Sequence, residues 1–448
     1  MRVTVVIPTY NGSDLLKQTL LCLAHQDPDS PDFEVIICDD GSQDNTKQTV
    51  CSFEDRLDLR YCYQPDLGFR AGAARNMGIS LAKYEVCVLL DTGVLVGADF
   101  IRSVSQFHTR YRGSVCLGIV HGISQADKHP QLVRLLRPMA ESDHPERCLT
   151  NRMLSVYPDA RQKMLYDKYA NDLNRIHAPW LYYWTCMTSL ETSLFEEVGL
   201  FDESFVGWGH EDLELGYRLW KAGIPFRSDS KVRALHLPHE QYTDKNRESY
   251  ENILRMYTLH QEFPVEVWYT LWTVSMPYNS SDTIDHFVKV APSVPRDYPN
   301  LEYVTDQLPQ GKRLLIGGFS PELAARVKAD EVFTIETERP SRLAEQLPSG
   351  KVFNRIGLAA LMQEKTYSTV IITDIWKAYP SELLRLLLNE ALRIAEDVYL
   401  IDQPDVVLES GILRGSSRLP DEFSMGPVDQ TAEYALYQVS KVPLLNQV

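Results

Sequence analysis

Two kinds of hydrophobic pattern alternate along the first hundred residues. Apolar runs that predict strands lie at 3–10, 33–39, 57–65 and 86–90. Between them, 12–26 and 72–83 have the one-sided apolar spacing of helices, and Ser13 is the predicted N-cap of the first helix. Continuous apolar strands separated by helices indicate a mostly parallel sheet that is covered on both faces.

A second α/β pattern begins near Arg313. It predicts strands at 313–319, 331–336, 368–375 and 397–402, with helices at 321–327 and 381–396. A polar, proline-containing stretch at 294–313 marks a boundary before it. We therefore expect a first domain over 1–262, a helical connection over 263–310 and a smaller domain over 311–448.

Composition narrows the possible functions. The chain has 448 residues and a net charge of −16, and this acidity argues against nucleic acid as a partner. No apolar run approaches the roughly 20 residues that span a bilayer, and the layout of a signal peptide is missing. The eight cysteines include no C-x-x-C pair, and Cys38 and Cys87 are expected to be reduced core residues. The simplest interpretation is a cytoplasmic protein with no transmembrane segment.

Polar turns follow three of the predicted strands. They read PTYNG, DDGSQD and DTG, and they begin at Pro8, Asp39 and Asp91. Ligands of such sheets bind beyond the carboxyl ends of the strands, so the three turns are expected to form one site. Asp91 suits a divalent cation, but the position two residues on, where a second carboxylate would help, is Gly93. The pattern leaves open whether Asp91 binds a metal or only ends a strand.

Six segments together resemble the inverting nucleotide-sugar glycosyltransferases of family 2. They are VVIPTYNG, VIICDDGSQDNT, GFRAGAARNMGI, VLLDTG, LFDESFVGWGHEDLELGYRL and ALHLPHE, all within residues 1–262. The middle block looks particularly like chondroitin polymerases and the galactosyltransferase-like subset, and the validamycin-type antibiotic glucosyltransferases are the small-acceptor class that it suggests. The resemblance implies a GT-A fold, a mostly parallel, Rossmann-like α/β sheet.

This resemblance implies a UDP-sugar donor at the strand ends. Tyr10 would stack on uracil, and Asp40 would accept the imide N–H of the base, with Asp39 structural or facing the ribose. Arg70 or Arg75 would neutralise the pyrophosphate or clamp the catalytic acids. The alternatives are a Tyr10 that packs a turn and a surface ion pair at Arg70. The implied donor-side residues are Pro8, Thr9, Tyr10, Asn11, Asp40, Arg70, Arg75, Asn76, Asp91 and Thr92.

A divalent metal, Mn²⁺ or Mg²⁺, is also implied, because the leaving group is a nucleoside diphosphate. Asp91 would supply one ligand. His236, at the end of the strand in VRALHLPHE, would supply another in preference to His239. Imidazole suits Mn²⁺ better than Mg²⁺. Alternatively, Asp91 and His236 merely end strands, and the metal is dispensable.

The segment GWGHEDLELGYRL carries the implied catalytic acids. Asp212 corresponds to the general base of the family, and Glu211 would bind hydroxyl groups of the acceptor or the sugar. Trp208 and Trp184 offer faces for a sugar ring. Two acids that cap a helix, and aromatic residues that fill a core, are the structural alternatives.

The second domain faintly resembles class I methyltransferases, but it lacks their G-x-G-x-G spacing after the first strand. We expect this domain to serve acceptor docking, regulation or the formation of a homodimer rather than methyl transfer.

The whole sequence therefore predicts an enzyme that moves a hexose from a UDP-sugar, UDP-glucose being favoured, to a small soluble acceptor, with a β-linked product. A polysaccharide or glycan-precursor acceptor, a non-catalytic glycan-binding or partner-binding protein and a bifunctional methyltransferase are the alternatives.

Overall fold

A computed structural model describes residues 1–122, 142–150, 154, 157–238, 245–276, 279–335, 351–408, 419–430 and 434–442. Backbone contacts divide the chain into two compact units, Met1–Ile253 and Leu254–Val448. The first unit thus ends before the boundary predicted at 262. Within the described residues, no helix is long and apolar enough to cross a membrane.

The first unit alternates strands and helices, as its hydrophobic pattern predicts. Its strands are β1 Val3–Thr9, β2 Phe33–Asp39, β3 Leu59–Tyr63, β4 Val86–Leu90, β5 Val94–Val96, β6 Val115–Leu117, β7 Ile119–His121, β8 Met187–Glu191, β9 Phe226–Arg227 and β10 Arg233–His236. Its helices are α1 Ser13–Ala24, α2 Thr46–Cys51, α3 Ala71–Leu81, α4 Phe100–Arg110, α5 Asp167–Tyr169, α6 Leu194–Val198 and α7 Glu211–Lys221, and α8 Lys245–His260 runs across the division.

The main sheet of this unit is mixed, with the order β3-β2-β1-β4-β8-β6-β9. The pairs among β3, β2, β1 and β4 are parallel, while β8 is antiparallel to both β4 and β6. A smaller sheet has the order β5-β10-β7. The central strands are buried on both faces and form one apolar core with α1 and α4. All parallel strands end at one edge, and the three polar turns follow them there.

The first helix begins differently from its prediction. Ser13 is its first residue rather than its N-cap, which is Gly12. The backbone N–H of Ser13 donates to Asp44 Oδ2 at 3.0 Å, so a side chain from a distant turn satisfies the helix N-terminus. Spacing along the helix could not reveal this partner.

The second unit has a doubly wound sheet of its own. Its strands are β11 Arg313–Ile316, β12 Glu331–Thr334, β13 Lys351–Asn354, β14 Tyr367–Ile372, β15 Ala395–Asp402, β16 Phe423–Gln430 and β17 Ala435–Lys441. Its helices are α9 Phe263–Thr273, α10 Ser280–Val290, α11 Leu301–Thr305, α12 Pro321–Arg326 and α13 Ser381–Ile394. The sheet order is β13-β12-β11-β14-β15-β17-β16, parallel as far as β15 and antiparallel beyond it. The pattern missed β13, β16 and β17.

The segment predicted as a connection, 263–310, packs into this second unit. The buried carboxylate of Glu266 accepts backbone N–H groups of Ile356 and Ala359 at 2.9 and 3.0 Å. Tyr298 is also buried, and its hydroxyl donates to Asp374 Oδ2 at 2.8 Å. The helices of 263–310 are therefore part of a folded unit, because their polar groups are satisfied by its loops.

Candidate active site

One buried guanidinium joins two parts of the site. Arg75, on α3, places Nη2 2.9 Å from Asp91 Oδ1 and Nη1 3.3 Å from Glu211 Oε1. Burial disfavours its charge, but Asp91 and Glu211 outweigh that effect and raise the pKa of Arg75. The end of β4 and the start of α7 are thus held together by a permanent positive charge, as the clamp inferred for Arg75 requires.

Gly93 has a backbone reason to be glycine. Its φ is +84°, in the left-handed region, and its N–H donates to Thr19 Oγ1 at 3.0 Å. A Cβ at this position would lie 3.4 Å from Leu15 Cδ2, in ordinary contact with a core-facing helix residue. A side chain at 93 would therefore point toward α1, so this backbone does not offer position 93 as a second carboxylate ligand.

His236 reaches the same neighbourhood through the small sheet. It pairs with Val94 in the antiparallel register of β10 and β5, and the next residue, Leu237, donates its N–H to Gly93 O at 2.9 Å. His236 Nδ1 lies 2.9 Å from Leu237 O, so the tautomer with the proton on Nδ1 has its lone pair on Nε2. The predicted ligand pair, Asp91 and His236, is thus brought to one turn. His239 lies outside the described residues.

The donor set at this turn fits a divalent cation. Asp91 is half-buried, with 29% of its side chain exposed, and its carboxylate is a hard oxygen ligand, while His236 would add an imidazole nitrogen. One oxygen and one nitrogen ligand suit Mn²⁺, with the other coordination positions left for water and phosphate oxygens. The nearby Arg75 reduces the local negative charge, so this site is expected to be weaker than one with two carboxylates.

The two catalytic candidates begin helix α7. His210 precedes them at φ +70°, an uncommon backbone conformation for a residue other than glycine. Asp212 Oδ1 accepts the N–H of Leu213 at 2.8 Å, while Glu211 Oε2 is buried without a hydrogen-bond partner among the described residues. A buried acceptor of this kind is suited to a substrate hydroxyl group.

Asp212 has the protonation behaviour of a general base. Although part of the residue faces solvent, many protein atoms surround its carboxylate. This burial, with repulsion from Glu211, raises the pKa of Asp212 to about 7, while Arg75 acts in the opposite direction. A carboxylate with a pKa near neutrality holds a proton more strongly than an ordinary aspartate and can still be ionised at the working pH.

Helix α8 fixes the loop before the two acids. Glu248 Oε2 accepts the N–H of Trp208 at 2.8 Å, and Asn252 Nδ2 donates to Gly209 O at 3.0 Å. His210 Nε2 lies 2.9 Å from Ser249 Oγ. A Cβ added at Gly207 would lie 2.8 Å from the Glu248 carboxyl carbon, so helix and loop are in close contact. Sequence reasoning missed Glu248, because no local pattern relates it to the loop.

The predicted base-binding end of the site lies beyond β1 and β2. Tyr10 is 48% exposed, and its hydroxyl donates to Asp66 Oδ2 at 3.0 Å. Asp40 Oδ2 accepts the N–H of Arg70 at 2.8 Å, and burial raises the pKa of Asp40. Asp39 is buried and accepts the hydroxyl of Tyr61 at 2.6 Å. Tyr10 is thus half-exposed at this end, and Asp39 has a structural role.

Several other donor-side residues hold the turns together. Asn11 Oδ1 accepts the N–H of Gln43 at 2.8 Å, Thr92 Oγ1 donates to Pro8 O at 2.9 Å, and Thr9 O accepts the N–H of Asp40 at 2.9 Å. These bonds tie the ends of β1, β2 and β4 into one rim.

Asn76 and Arg70 both bind the backbone of neighbouring loops. The buried amide of Asn76 donates to Phe201 O at 2.9 Å and accepts the N–H of Phe201 at the same distance. Asn76 therefore fixes the loop before α7 through the backbone of Phe201. Arg70 Nη2 donates to Pro65 O at 2.6 Å and lies 3.8 Å from Asp40, so it joins two loops at the base-binding end.

Trp184 and Trp208, the two aromatic candidates, differ in their surroundings. Trp180 and Tyr183, which lie in the same aromatic run as Trp184, are fully buried core residues. Trp184 is half-buried, and the guanidinium of Arg161 lies 4.8 Å from its ring centroid. Trp208 is 39% exposed and precedes helix α7.

Asp91 and His236 at strand ends, and Glu211 and Asp212 at the start of α7, thus form the candidate site on a GT-A-like α/β fold. Residues 4–172 match the family model described as glycosyl transferase family 2, and residues 168–240 match the one described as the N-terminal domain of galactosyltransferase. The chain thus contains a domain, residues 4–172, that is similar to glycosyl transferase family 2.

Curated relatives match the same part of the chain. Validoxylamine A glucosyltransferase of Streptomyces hygroscopicus subsp. jinggangensis (strain 5008) is 42% identical over 246 residues, which are 54% of this chain and 57% of that one. Chondroitin synthase of Escherichia coli is 29% identical over 265 residues, 58% of this chain and 38% of that one. The chain thus spans about half, or less, of the length of these relatives.

Among solved structures, S. aureus TarS 1-349 in complex with UDP-GlcNAc is 16% identical to this chain, with a TM-score of 0.40. The match covers 63% of this chain and 70% of that one. A TM-score at this level carries no argument about ligands, so the site is interpreted from its own residues.

Proposed function

We propose that this chain is an inverting, metal-dependent glycosyltransferase that moves a hexose, with glucose favoured, from a UDP-sugar to the hydroxyl group of a small natural-product acceptor. The observation that carries the proposal is the single buried guanidinium of Arg75, which bonds both Asp91 and Glu211. This contact supports the proposal, because it joins Glu211, the neighbour of Asp212, to the strand end that would hold the diphosphate.

In the proposed reaction, the carboxylate of Asp212 takes the proton from the acceptor hydroxyl. The hydroxyl oxygen attacks the anomeric carbon from the face opposite the diphosphate, so an α-linked donor gives a β-linked product. Glu211 Oε2, which is buried and unpartnered among the described residues, accepts a second hydroxyl group and orients the acceptor. The backbone N–H of Leu213 holds the Asp212 carboxylate in place.

A divalent cation held by Asp91 and His236 would supply Lewis-acid stabilisation to the leaving diphosphate. Arg75 adds a fixed positive charge next to Asp91. Arg75 would therefore supply part of the electrostatic stabilisation of the leaving diphosphate. This contribution is consistent with a metal site that has no carboxylate at position 93.

The donor and acceptor are proposed from the base-binding end and from the relatives. The chemistry of a half-exposed tyrosine ring at Tyr10 and of the carboxylate of Asp40 suits a uracil base. Among the relatives, one is named a validoxylamine A glucosyltransferase, which favours glucose and a small cyclitol-type acceptor, whereas the chondroitin synthases favour a glycan. The higher identity of the former makes the small acceptor our choice.

The test is UDP release from UDP-glucose, UDP-galactose, UDP-GlcNAc and UDP-glucuronate, with Mn²⁺, Mg²⁺ or EDTA, in the presence of a cyclitol or an oligosaccharide acceptor. We expect turnover of UDP-glucose with the cyclitol, loss of activity in EDTA, and loss in an Asp212→Asn variant. Activity that persists in EDTA would overturn the metal assignment. If no donor is turned over and UDP does not bind, the chain is a non-catalytic binding protein.

We propose that the second unit has a methyltransferase-like fold without methyl transfer. Its parallel strands have the doubly wound order, in which a ligand normally binds at the switch point between β11 and β14. That position is closely packed: a Cβ at Gly317 would lie 2.4 Å from Thr373 Oγ1, and Thr373 and Asp374 are fully buried. Equilibrium dialysis with S-adenosylmethionine should therefore show no binding, and saturable binding would overturn this proposal.

A further inference from the structure

Two cysteines lie side by side on neighbouring strands of the main sheet. Cys38 on β2 and Cys62 on β3 are direct partners in the parallel register, and their sulfur atoms are 3.5 Å apart. Both are free thiols. Neighbouring strands are about 4.8 Å apart, which lies within the roughly 4.4–6.8 Å between Cα atoms that a disulfide spans. The two side chains point to the same side, since their sulfur atoms are in contact.

The two thiols differ in a way that suits stepwise oxidation. Cys38 is fully buried, whereas Cys62 is half-buried and can be reached from solvent. The side-chain hydrogen bond between the two sulfur atoms lowers the pKa of the Cys62 thiol, and the same contact, together with burial, raises the pKa of Cys38. Cys62 is therefore the nucleophile, and Cys38 is the thiol placed to resolve its oxidised form.

We propose that Cys38 and Cys62 form a reversible disulfide when a hydroperoxide oxidises the protein, and that its closure weakens nucleotide binding at the end of β2. The Cys62 thiolate attacks the peroxide and, with one proton, gives a sulfenic acid and water. The Cys38 sulfur then displaces hydroxide from that sulfenic acid, which leaves as a second water after taking the Cys38 proton. Two thiols thus lose two electrons to one hydrogen peroxide. A thiol reductant reverses the reaction by exchange.

The link to nucleotide binding is the position of the pair. Cys38 directly precedes Asp39 and Asp40, and Tyr61, next to Cys62, donates its hydroxyl to Asp39. Asp39 in turn accepts the N–H groups of Gly41 and Ser42 at 3.1 and 2.7 Å. Bond formation shortens the sulfur separation to about 2.05 Å. This movement acts directly on the turn that presents Asp40.

Helix α3 packs closely against Cys38 and restricts how the sheet can adjust when the disulfide forms. A Cβ at Gly78 would lie 2.6 Å from Cys38 Sγ and 2.5 Å from Val6 Cγ1, so the helix already packs tightly on this sulfur. When Cys38 moves toward Cys62, this contact opens at the base of the helix that carries Arg75. The weakened nucleotide binding rests on the proposed function, whereas the disulfide itself does not.

The first experiment treats the full chain with hydrogen peroxide and maps disulfides by mass spectrometry. We expect a link between the tryptic peptides 18–47 and 61–70, with fragment ions that assign it to Cys38 and not to Cys22. The link should be absent in Cys62→Ser and unchanged in Cys51→Ser, a matched variant of an exposed single thiol. Failure to find the 38–62 link in the wild-type chain would overturn the proposal.

The second experiment measures UDP binding by calorimetry before and after oxidation. We expect the dissociation constant to rise about tenfold, in line with the loss of one hydrogen bond to a charged group, and to return with dithiothreitol. The Cys62→Ser variant should keep its affinity after peroxide treatment. A 38–62 link that leaves the affinity unchanged would overturn the regulatory part. If the reduced protein does not bind UDP, the proposed function fails, while the peptide map still decides the disulfide.

Discussion

Replacing Asp212 with asparagine tests the assignment of the base through both stability and activity. Burial and the neighbouring Glu211 raise the pKa of Asp212 from 3.8 to about 7. Because this folded-state pKa is above the unfolded one, the group favours folding only while it is protonated. The contribution of Asp212 to the free energy of unfolding is fully present below the pKa of the group in the unfolded chain. It is lost as the pH rises through the pKa of the group in the folded protein.

The size of this effect follows from the shift. About three units of pKa at about 1.4 kcal/mol each give roughly 4 kcal/mol, which we reduce to about 3 kcal/mol because water reaches part of the residue. The asparagine side chain of the variant carries no charge at any pH. We therefore expect the Asp212→Asn variant to be more stable than the wild type by about 3 kcal/mol at pH 8, and by less at pH 5, where the wild-type carboxyl is protonated.

The assay is calorimetric unfolding of both proteins at pH 5 and pH 8, with Glu251→Gln, an exposed acid on α8, as the matched control. For a unit of this size, about 3 kcal/mol corresponds to a rise of roughly 6–12 °C in Tm of the first unit. In the same variant, kcat/KM for sugar transfer should fall about 10²–10⁴-fold, and the wild-type kcat/KM should rise with pH through about 7. A Tm difference that is equal at the two pH values, or a variant with near-normal turnover, would refute the reasoning.

Three further predictions concern the surroundings of this base. Gly93→Asp should not tighten Mn²⁺ binding, measured by calorimetry, because the new side chain would face Leu15. The same variant should lower the free energy of unfolding by about 1–2 kcal/mol, because the backbone at position 93 is left-handed. A gain in metal affinity would show that the turn adapts. His236→Ala should raise the Mn²⁺ concentration needed for half-maximal activity at least about tenfold, whereas His239→Ala should not, and the reverse result would reassign the ligand. Glu248→Ala should lower kcat at least about tenfold, because it releases the loop at Trp208. Glu248→Gln should retain most of the wild-type kcat, and Glu251→Ala should leave kcat unchanged. A change in Tm without a change in kcat would show that Glu248 has a purely structural role.

Local patterns in the sequence accounted for much of the fold. The central strands are continuous apolar runs, so β1, β2 and β4 and the helices between them could be predicted from periodicity alone. The strands missed in the second unit, β13, β16 and β17, belong to segments of mixed polarity. These strands are stabilised by pairing with distant partners, and a pairing partner is invisible to a local pattern.

The candidate site shows the same division. The family resemblance implied roles for Asp91, Asp212 and His236, and each of these residues follows or begins a recognisable element. It could not show that Asn76 is occupied by the backbone of Phe201, or that Trp180 is core. Those roles depend on which side of a strand or helix faces a neighbour, and that neighbour is far away in the chain.

By itself, the sequence determined that this chain contains an α/β domain with polar turns at its strand ends, because strand, turn and helix signals are local. Only the tertiary structure decided why position 93 is glycine, that Arg75 joins Asp91 to Glu211, that Glu248 holds the catalytic loop and that Cys38 lies against Cys62. Each of these depends on backbone conformation or on contacts between residues distant in the chain. Sheet pairing and helix packing create such contacts, and the order of residues does not display them.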